Sequence, residues 1–171
     1  MSSPATISTI DTASPFDPRT LRNALGTYGT GVAVVTAVGL DGEWVGLTIN
    51  SFSSVSLDPP LVLWSIDNNS PSLPVFETTS HYAVSVLSES QEELSNRFAS
   101  RVPDKFEGLD CPVGTSGSPL IPDALAWFEC RIMQRIAAGD HTILLGHVER
   151  FAFDARSAPL LFQAGSYRRI A

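Results

Sequence analysis

Apolar residues fall into short runs along the chain, and turn-forming residues separate these runs. The β-branched run 32–38 predicts a buried strand. Asp41-Gly42 is a strong hairpin signal, so the chain is expected to return as a second strand over about 43–56. Asp58-Pro59-Pro60 ends that strand, and the run 61–66 predicts another buried strand.

The second half of the chain continues this pattern. Residues 82–87 alternate as a strand does, and mixed small and large residues predict a further strand over 124–136. A turn at Ala138-Gly139-Asp140 then leads into a return strand over 141–153. A last short strand is expected around Tyr167.

Three short helices are expected between these strands. Asp17 caps the first helix, Pro18 occupies its first turn, and Gly29 and Gly31 are expected to end it. Ser70-Pro71 begins a second helix that reaches Phe76. A capping box of Ser88 and Gln91 begins the third helix, which continues to Phe98.

The strands are arranged in hairpins and do not alternate regularly with helices. This order predicts a mainly β, antiparallel barrel with a few peripheral short helices and argues against a doubly wound sheet. The length of 171 residues favours a single domain over residues 15–171, without internal repeat or linker. The small polar residues 1–14 are expected to form a loose, disordered arm.

Charge and hydropathy exclude several classes of protein. The net charge is −7 and there is no basic face, which argues against a nucleic-acid partner. No apolar stretch is long enough to span a membrane, and no secretory signal is visible, so a cytoplasmic location is expected. Cys111 and Cys130 are interpreted as reduced packing residues.

The most informative segment is 48–54, which is crowded with hydroxyls and one amide. Strand alternation would place Thr48, Asn50 and Phe52 on one face and Ser51 and Ser53 on the other. Such groups near a core point to a ligand with hydrogen-bonding edges, such as an isoalloxazine ring, or to a phosphate. The alternative is a solvent-facing strand, which needs no ligand.

Two further segments carry candidate chemistry. His141 follows a tight turn, where its ring could hydrogen-bond or stack on a nicotinamide; the alternative is a solvated surface turn of Asp140 and His141. Lys105, beside Phe106 in the long excursion 101–122, could neutralise a phosphate or simply be solvated.

Other known site types are absent from the sequence. The glycines of 26–31 have the order G-x-x-G-x-G and follow a helix, so they are not the dinucleotide fingerprint. His81 and His147 have no partners at metal-ligand spacing, and no metal site is expected.

The chain resembles the short flavin reductases that supply reduced flavin to two-component monooxygenases and have an FMN-binding split barrel. The resemblance depends on the joint order of many individually weak landmarks along residues 16–167. They are Gly29-Thr30-Gly31-Val32, residues 46–56, Pro59-Pro60-Leu61-Val62-Leu63, residues 82–87, Gln91 to Phe98-Ala99, Lys105-Phe106, Gly139-Asp140-His141-Thr142, residues 159–161 and Gly165-Ser166-Tyr167.

The resemblance implies a six-stranded split barrel and a set of site residues. His141 and Tyr167 would hold the nicotinamide, and Asp140 would orient the turn. Phe98, Ala99 and Lys105 would close over the flavin. The remaining flavin-binding residues would be Thr48, Ile49, Asn50, Ser51, Ser53, Ser54 and Ser65.

The resemblance also implies the reaction. The protein would transfer a hydride from NADH or NADPH to FMN or FAD, work as a homodimer, and supply a partner monooxygenase with reduced flavin. The lack of an arginine cluster favours NADH over NADPH. The alternative is a split-barrel protein that retains its flavin, either an oxidase or a non-catalytic flavin- or haem-binding module.

Overall fold

The computed structural model describes residues 9–154 and 157–170, so most of the expected N-terminal arm lies outside the described residues. These residues form three α-helices and ten β-strands. The helices are α1 (Pro18–Leu25), α2 (Leu73–Thr78) and α3 (Glu92–Ala99). The strands are β1 (Thr30–Gly31), β2 (Ala33–Val38), β3 (Trp44–Ile49), β4 (Ser53–Leu57), β5 (Pro60–Asp67), β6 (His81–Val86), β7 (Ala126–Ala138), β8 (His141–Phe153), β9 (Leu161–Gln163) and β10 (Ser166–Arg168).

Seven strands form one antiparallel sheet in the order β3-β2-β6-β7-β8-β5-β4. The two edge strands, β3 and β4, are consecutive in the chain and are joined by residues 50–52 alone. So short a link requires the sheet to curl until its edges approach each other, which gives a barrel that is open between β3 and β4. The predicted antiparallel β class is therefore confirmed.

The strand predicted over 43–56 was wrong as a single element. It is divided at Asn50–Phe52, so the sheet has seven strands instead of six. The alternation expected through Thr48, Asn50 and Phe52 ends with β3, and these side chains lie in different environments. The other strand and turn predictions agree with the structure to within about two residues, except that β1 and β9 were not predicted.

The hydrophobic core lies on both faces of the sheet. Inside the barrel, Trp64 packs edge-on against Phe76 and Tyr82, and Phe76 brings α2 over one end of the barrel. On the outer face of β2 and β6, Phe98 of α3 packs in a second cluster with Ile121 and Leu160. Helix α3 therefore covers part of the sheet beside β3.

Helix α1 begins as predicted, with the Asp17 carboxylate accepting from the Arg19 N–H. It ends at Gly26 and not at Gly29 or Gly31, because the chain turns there to enter β1. None of its residues is buried. No helix of residues 9–154 and 157–170 is long and apolar enough to cross a membrane.

The excursion 101–122 is predicted correctly as a long loop; the structure gives it no helix and only an isolated bridge between Val113 and Pro119. Its far end is anchored on β7. The Glu129 carboxylate, 8% exposed, accepts from both the N–H and the hydroxyl of Thr115. The Trp127 indole donates to the Ile121 carbonyl.

Candidate active site

The junction 50–52 between the two edge strands is fixed by one hydroxyl. The Ser51 Oγ accepts from the Ser65 N–H at 3.1 Å and lies 3.3 Å from the Ser65 carbonyl, so it connects the junction to β5. Ser51 and Ser65, which the resemblance assigns to the flavin site, are therefore in direct contact. The neighbouring Asn50 side chain is exposed. The junction therefore presents a free amide beside the opening of the barrel.

Asn50 and Ser51 line a groove with a volume of about 1140 Å³. Its other walls are the last turn of α1, the segment before β1 and the β9–β10 turn. Its lining residues are Arg22, Asn23, Ala24, Leu25, Gly26, Tyr28, Thr30, Asn50, Ser51, Phe162, Gln163, Ala164 and Gly165. We call this space the α1 groove. Of these lining residues, only Asn50 and Ser51 were predicted from the sequence to be site residues.

Thr48 and Tyr167 are connected through a buried residue that sequence analysis missed. The Thr48 hydroxyl donates to the Ser95 carbonyl at 2.6 Å, and the Ser95 hydroxyl lies 2.8 Å from the Tyr167 hydroxyl. The Tyr167 hydroxyl also donates to the Asn96 carboxamide oxygen at 3.1 Å. Two predicted site residues thus meet on α3, and Thr48 lies beneath this helix instead of facing an open cleft.

Lys105 connects the excursion to the edge of β3. Its ammonium donates to the Phe98 carbonyl at 2.8 Å and to the Gly46 carbonyl at 3.1 Å. Burial lowers the pKa of this ammonium. With two donors committed to backbone oxygens, one donor remains for a ligand.

The predicted turn places His141 and Asp140 in direct contact, with Nδ1 and a carboxylate oxygen 2.8 Å apart. The hydrogen bond and charge of His141 lower the pKa of the fully exposed Asp140 carboxyl. On β5 and β8, Ser65 pairs with Ile143 and Asp67 pairs with His141. His141 is therefore on the same sheet face as Ser65, two residues further along.

The remaining predicted residues divide into exposed and buried ones. Ser53, Ser54 and Ala99 are exposed. Ile49 is 7% exposed and packs inside the barrel. Phe98 has no exposed surface, so its side chain cannot close over a ligand as predicted; it packs against Phe106 at 5.0 Å. Among the described residues, no three His, Cys, Asp or Glu side chains lie close enough to hold a metal ion.

Comparison with known proteins identifies the family. A family model described as "Flavin reductase like domain" matches residues 25–171. The chain belongs to this family. It is 48% identical over 151 residues to FMN reductase (NADH) SmoA from Agrobacterium fabrum, covering 88% of this chain and 85% of that relative. A longer Rhizobium meliloti relative is 46% identical over 140 residues, and the chain spans 82% of its own length but 45% of that relative's.

A relative in Mycobacterium tuberculosis, the flavin-dependent monooxygenase reductase subunit HsaB, is 39% identical over 160 residues, which cover 92% of this chain and 85% of HsaB. The solved structure of the Streptomyces globisporus NADH:FAD oxidoreductase SgcE6 superposes with a TM-score of 0.89 at 39% identity. That match covers 97% of this chain and 98% of SgcE6. These likenesses confirm the family resemblance and the split-barrel class.

Proposed function

We propose that this member of the flavin reductase-like family is an NAD(P)H:flavin oxidoreductase that reduces FMN or FAD and releases the product to a partner monooxygenase. The observation that carries the proposal is the junction 50–52, where the barrel opens between its edge strands and presents the exposed Asn50 amide. Relatives named FMN reductase (NADH) and NADH:FAD oxidoreductase support the choice of reaction.

The groups at the junction fit a flavin. The ring has carbonyls and an N–H along one edge, and the Asn50 carboxamide supplies both a donor and an acceptor for such an edge. The Ser51 hydroxyl is committed to β5, so Ser51 acts by fixing the backbone of the junction. Lys105, with one free donor and a positive charge, would attract the flavin phosphate. Ser53 and Ser54 lie on β4, which follows the junction, and Ser65 lies on the neighbouring strand β5.

His141 would position the nicotinamide. A carboxylate accepts only, so the contact with Asp140 holds the proton of neutral His141 on Nδ1 and leaves Nε2 as an acceptor. An imidazole nitrogen in this state can accept from the nicotinamide carboxamide. When bound, the flavin supplies the hydride acceptor, and the protein's part is to hold the two rings in contact.

The proposed partner follows from the same chemistry. HsaB of Mycobacterium tuberculosis is named as the reductase subunit of a flavin-dependent monooxygenase, which supports an oxygenase as the recipient of reduced flavin. Because the junction is largely neutral, we expect it to bind flavin with moderate affinity and therefore to release the reduced flavin. The alternative, a protein that retains its flavin, has no such support among the relatives named above.

We also propose that the protein is a homodimer in the cytoplasm. Phe151 and Phe153 on β8 are 66% and 73% exposed, and Phe151 stacks on Phe128 beside Phe52 of the junction. Aromatic side chains exposed to this extent are typical of an interface. Replacing Phe151 and Phe153 together by Ser should halve the mass measured by light scattering, whereas the same change at exposed Leu40 should not.

The decisive test is the rate of NADH oxidation with FMN, FAD and riboflavin added in parallel. Catalytic turnover of added flavin is expected, with NADH preferred over NADPH. The absorbance of the purified protein separates the alternative, because a protein that retains its flavin is yellow and does not turn over added flavin. A protein that binds flavin but oxidises neither nicotinamide would overturn the proposal.

A further inference from the structure

Tyr28 is an aromatic side chain that neither the core nor the proposed reaction uses. It lines the α1 groove and is 78% exposed. Within the described residues, its ring has no aromatic partner and its hydroxyl makes no hydrogen bond. An unpartnered aromatic face in a groove is a suitable surface for stacking a planar ring.

The charge of the α1 groove differs from that of the whole protein. The net charge is −7, yet among residues 9–154 and 157–170 the groove is lined by one cation, Arg22, and by no carboxylate. No ion pair of the described residues involves the Arg22 guanidinium. The groove beside Lys105, in contrast, also contains Asp104. The α1 groove is thus a local site where an anion meets a free guanidinium, which suits a phosphate group.

The walls of the α1 groove are held together before any ligand binds. The Ala164 N–H donates to the Gly26 carbonyl at 2.8 Å, and the Gln163 carboxamide donates to the Thr27 carbonyl at 3.0 Å. These bonds join the β9–β10 turn to the end of α1. Thr30 is one of the lining residues, and its hydroxyl is buried without a hydrogen-bond partner. A preformed groove with an unsatisfied hydroxyl is typical of a ligand site.

We propose that the α1 groove binds the adenylate half of a dinucleotide, with the purine stacked on Tyr28 and a phosphate held by Arg22. Asn50 and Ser51 of the junction line the groove, so a dinucleotide with its reactive ring at the junction would extend into it. This inference rests on the proposed function for the identity of the reactive half. Both NADH and FAD carry an adenylate half, and the experiment separates them.

The test uses Tyr28→Ala and Arg22→Gln, with Arg19→Gln as the matched control. Arg19 is an exposed arginine of the same helix that does not line the groove. If the groove serves NADH, each variant should raise the KM for NADH by about tenfold. The KM for reduced nicotinamide mononucleotide, which lacks the adenylate, should be unchanged. If the groove serves FAD, the Kd for FAD should rise by a similar factor and the Kd for FMN should not.

Direct binding provides a readout that does not depend on turnover. Calorimetry should detect ADP binding to the wild type and to Arg19→Gln, and weaker binding to both groove variants. The inference would be overturned if the groove variants lost as much affinity for reduced nicotinamide mononucleotide and FMN as for NADH and FAD. It would also be overturned if the affinities for all four of these ligands were unchanged, or if the variants changed the oligomeric mass without losing ADP binding. A wild type that binds ADP but reduces no flavin would instead contradict the proposed function.

Discussion

The hydroxyl of Tyr167 lies 2.8 Å from the hydroxyl of Ser95, a residue with no exposed surface. Because the Tyr167 hydroxyl also donates to Asn96, its donor and its main acceptor position are both used within the protein. We therefore expect Tyr167 to contact a nicotinamide with its aromatic ring and not with its hydroxyl. The Ser95 carbonyl also accepts a hydrogen bond from the Thr48 hydroxyl. Ser95 of α3 therefore binds both β3, through Thr48, and β10, through Tyr167.

This relationship predicts coupled effects on stability. Ser95→Ala removes the hydrogen bond between the two hydroxyls and should lower the free energy of unfolding by about 1 kcal/mol. Tyr167→Phe removes that bond and the bond to Asn96, and should lower the free energy of unfolding by about 1–2 kcal/mol. The double variant should lose less than the sum, as expected for two groups in contact. Urea unfolding measures all four proteins, and exposed Ser166→Ala serves as the control. Strict additivity would show that the contact does not stabilise the fold.

Gly46 is required by the close approach of α3 and the excursion to β3. A Cβ at this position would lie 2.6 Å from the Phe98 ring and 3.0 Å from that of Phe106. Gly46→Ala should therefore lower the free energy of unfolding by about 1–3 kcal/mol through overpacking. Gly31→Ala, where nothing lies within 4 Å of the new methyl, is the control and should be nearly neutral. Adding Phe98→Leu to Gly46→Ala should recover part of the loss if the clash is the cause.

The sequence predicted most of the fold because its signals are local. Asp41-Gly42 and Gly139 lie in the turns that they predicted. Gly42 and Gly139 both have a positive φ, a backbone conformation that favours glycine. Strands β1 and β9 were missed because they are two and three residues long and pair only with each other and with β10. Their formation depends on contacts distant in the sequence, which periodicity does not reveal.

The candidate site was less predictable for the same reason. Segment 48–54 was identified correctly as unusual, but its division at the junction follows from the curling of the sheet and not from its composition. Phe98 was expected to close over a ligand, but it is fully buried against Phe106. The sequence also did not reveal that Lys105 donates to the Gly46 and Phe98 carbonyls, because these contacts form between the excursion and β3. Ser95 and Tyr28 carried no sequence signal, because a serine in a helix and a tyrosine between glycines are common on surfaces.

The buried Cys130 thiol predicts a loss of stability in alkali. Burial raises its pKa from 9.0 to about 12, and burial also raises the pKa of the neighbouring Tyr82. The folded state therefore keeps protons that the unfolded chain releases. Stability from this group is complete below pH 9.0 and decreases as the pH rises towards 12, by at most about 1.4 kcal/mol per pH unit. Urea midpoints between pH 7 and 10.5 should fall, and Cys130→Ala should reduce the slope; an unchanged slope would contradict the assignment.

The His141–Asp140 pair predicts a selective effect on nicotinamide use. Removing the ring in His141→Ala removes the acceptor at Nε2, so the KM for NADH should rise by about tenfold while the Kd for flavin changes little. Asp140→Asn keeps an acceptor for Nδ1 but removes its charge, and should produce a smaller change in the same direction.

The same pair has a structural readout that is independent of catalysis. In the wild type, the Asp140 carboxyl should titrate below its ordinary pKa of 3.8 when followed by NMR, and His141→Ala should return it towards that value. Since a lowered carboxyl pKa stabilises the folded state above 3.8, this contribution should disappear as the pH falls through the folded-state value. Equal losses of flavin and NADH affinity in His141→Ala, with the Asp140 titration unaltered, would mean that His141 does not position the nicotinamide and that its contact with Asp140 does not persist in solution.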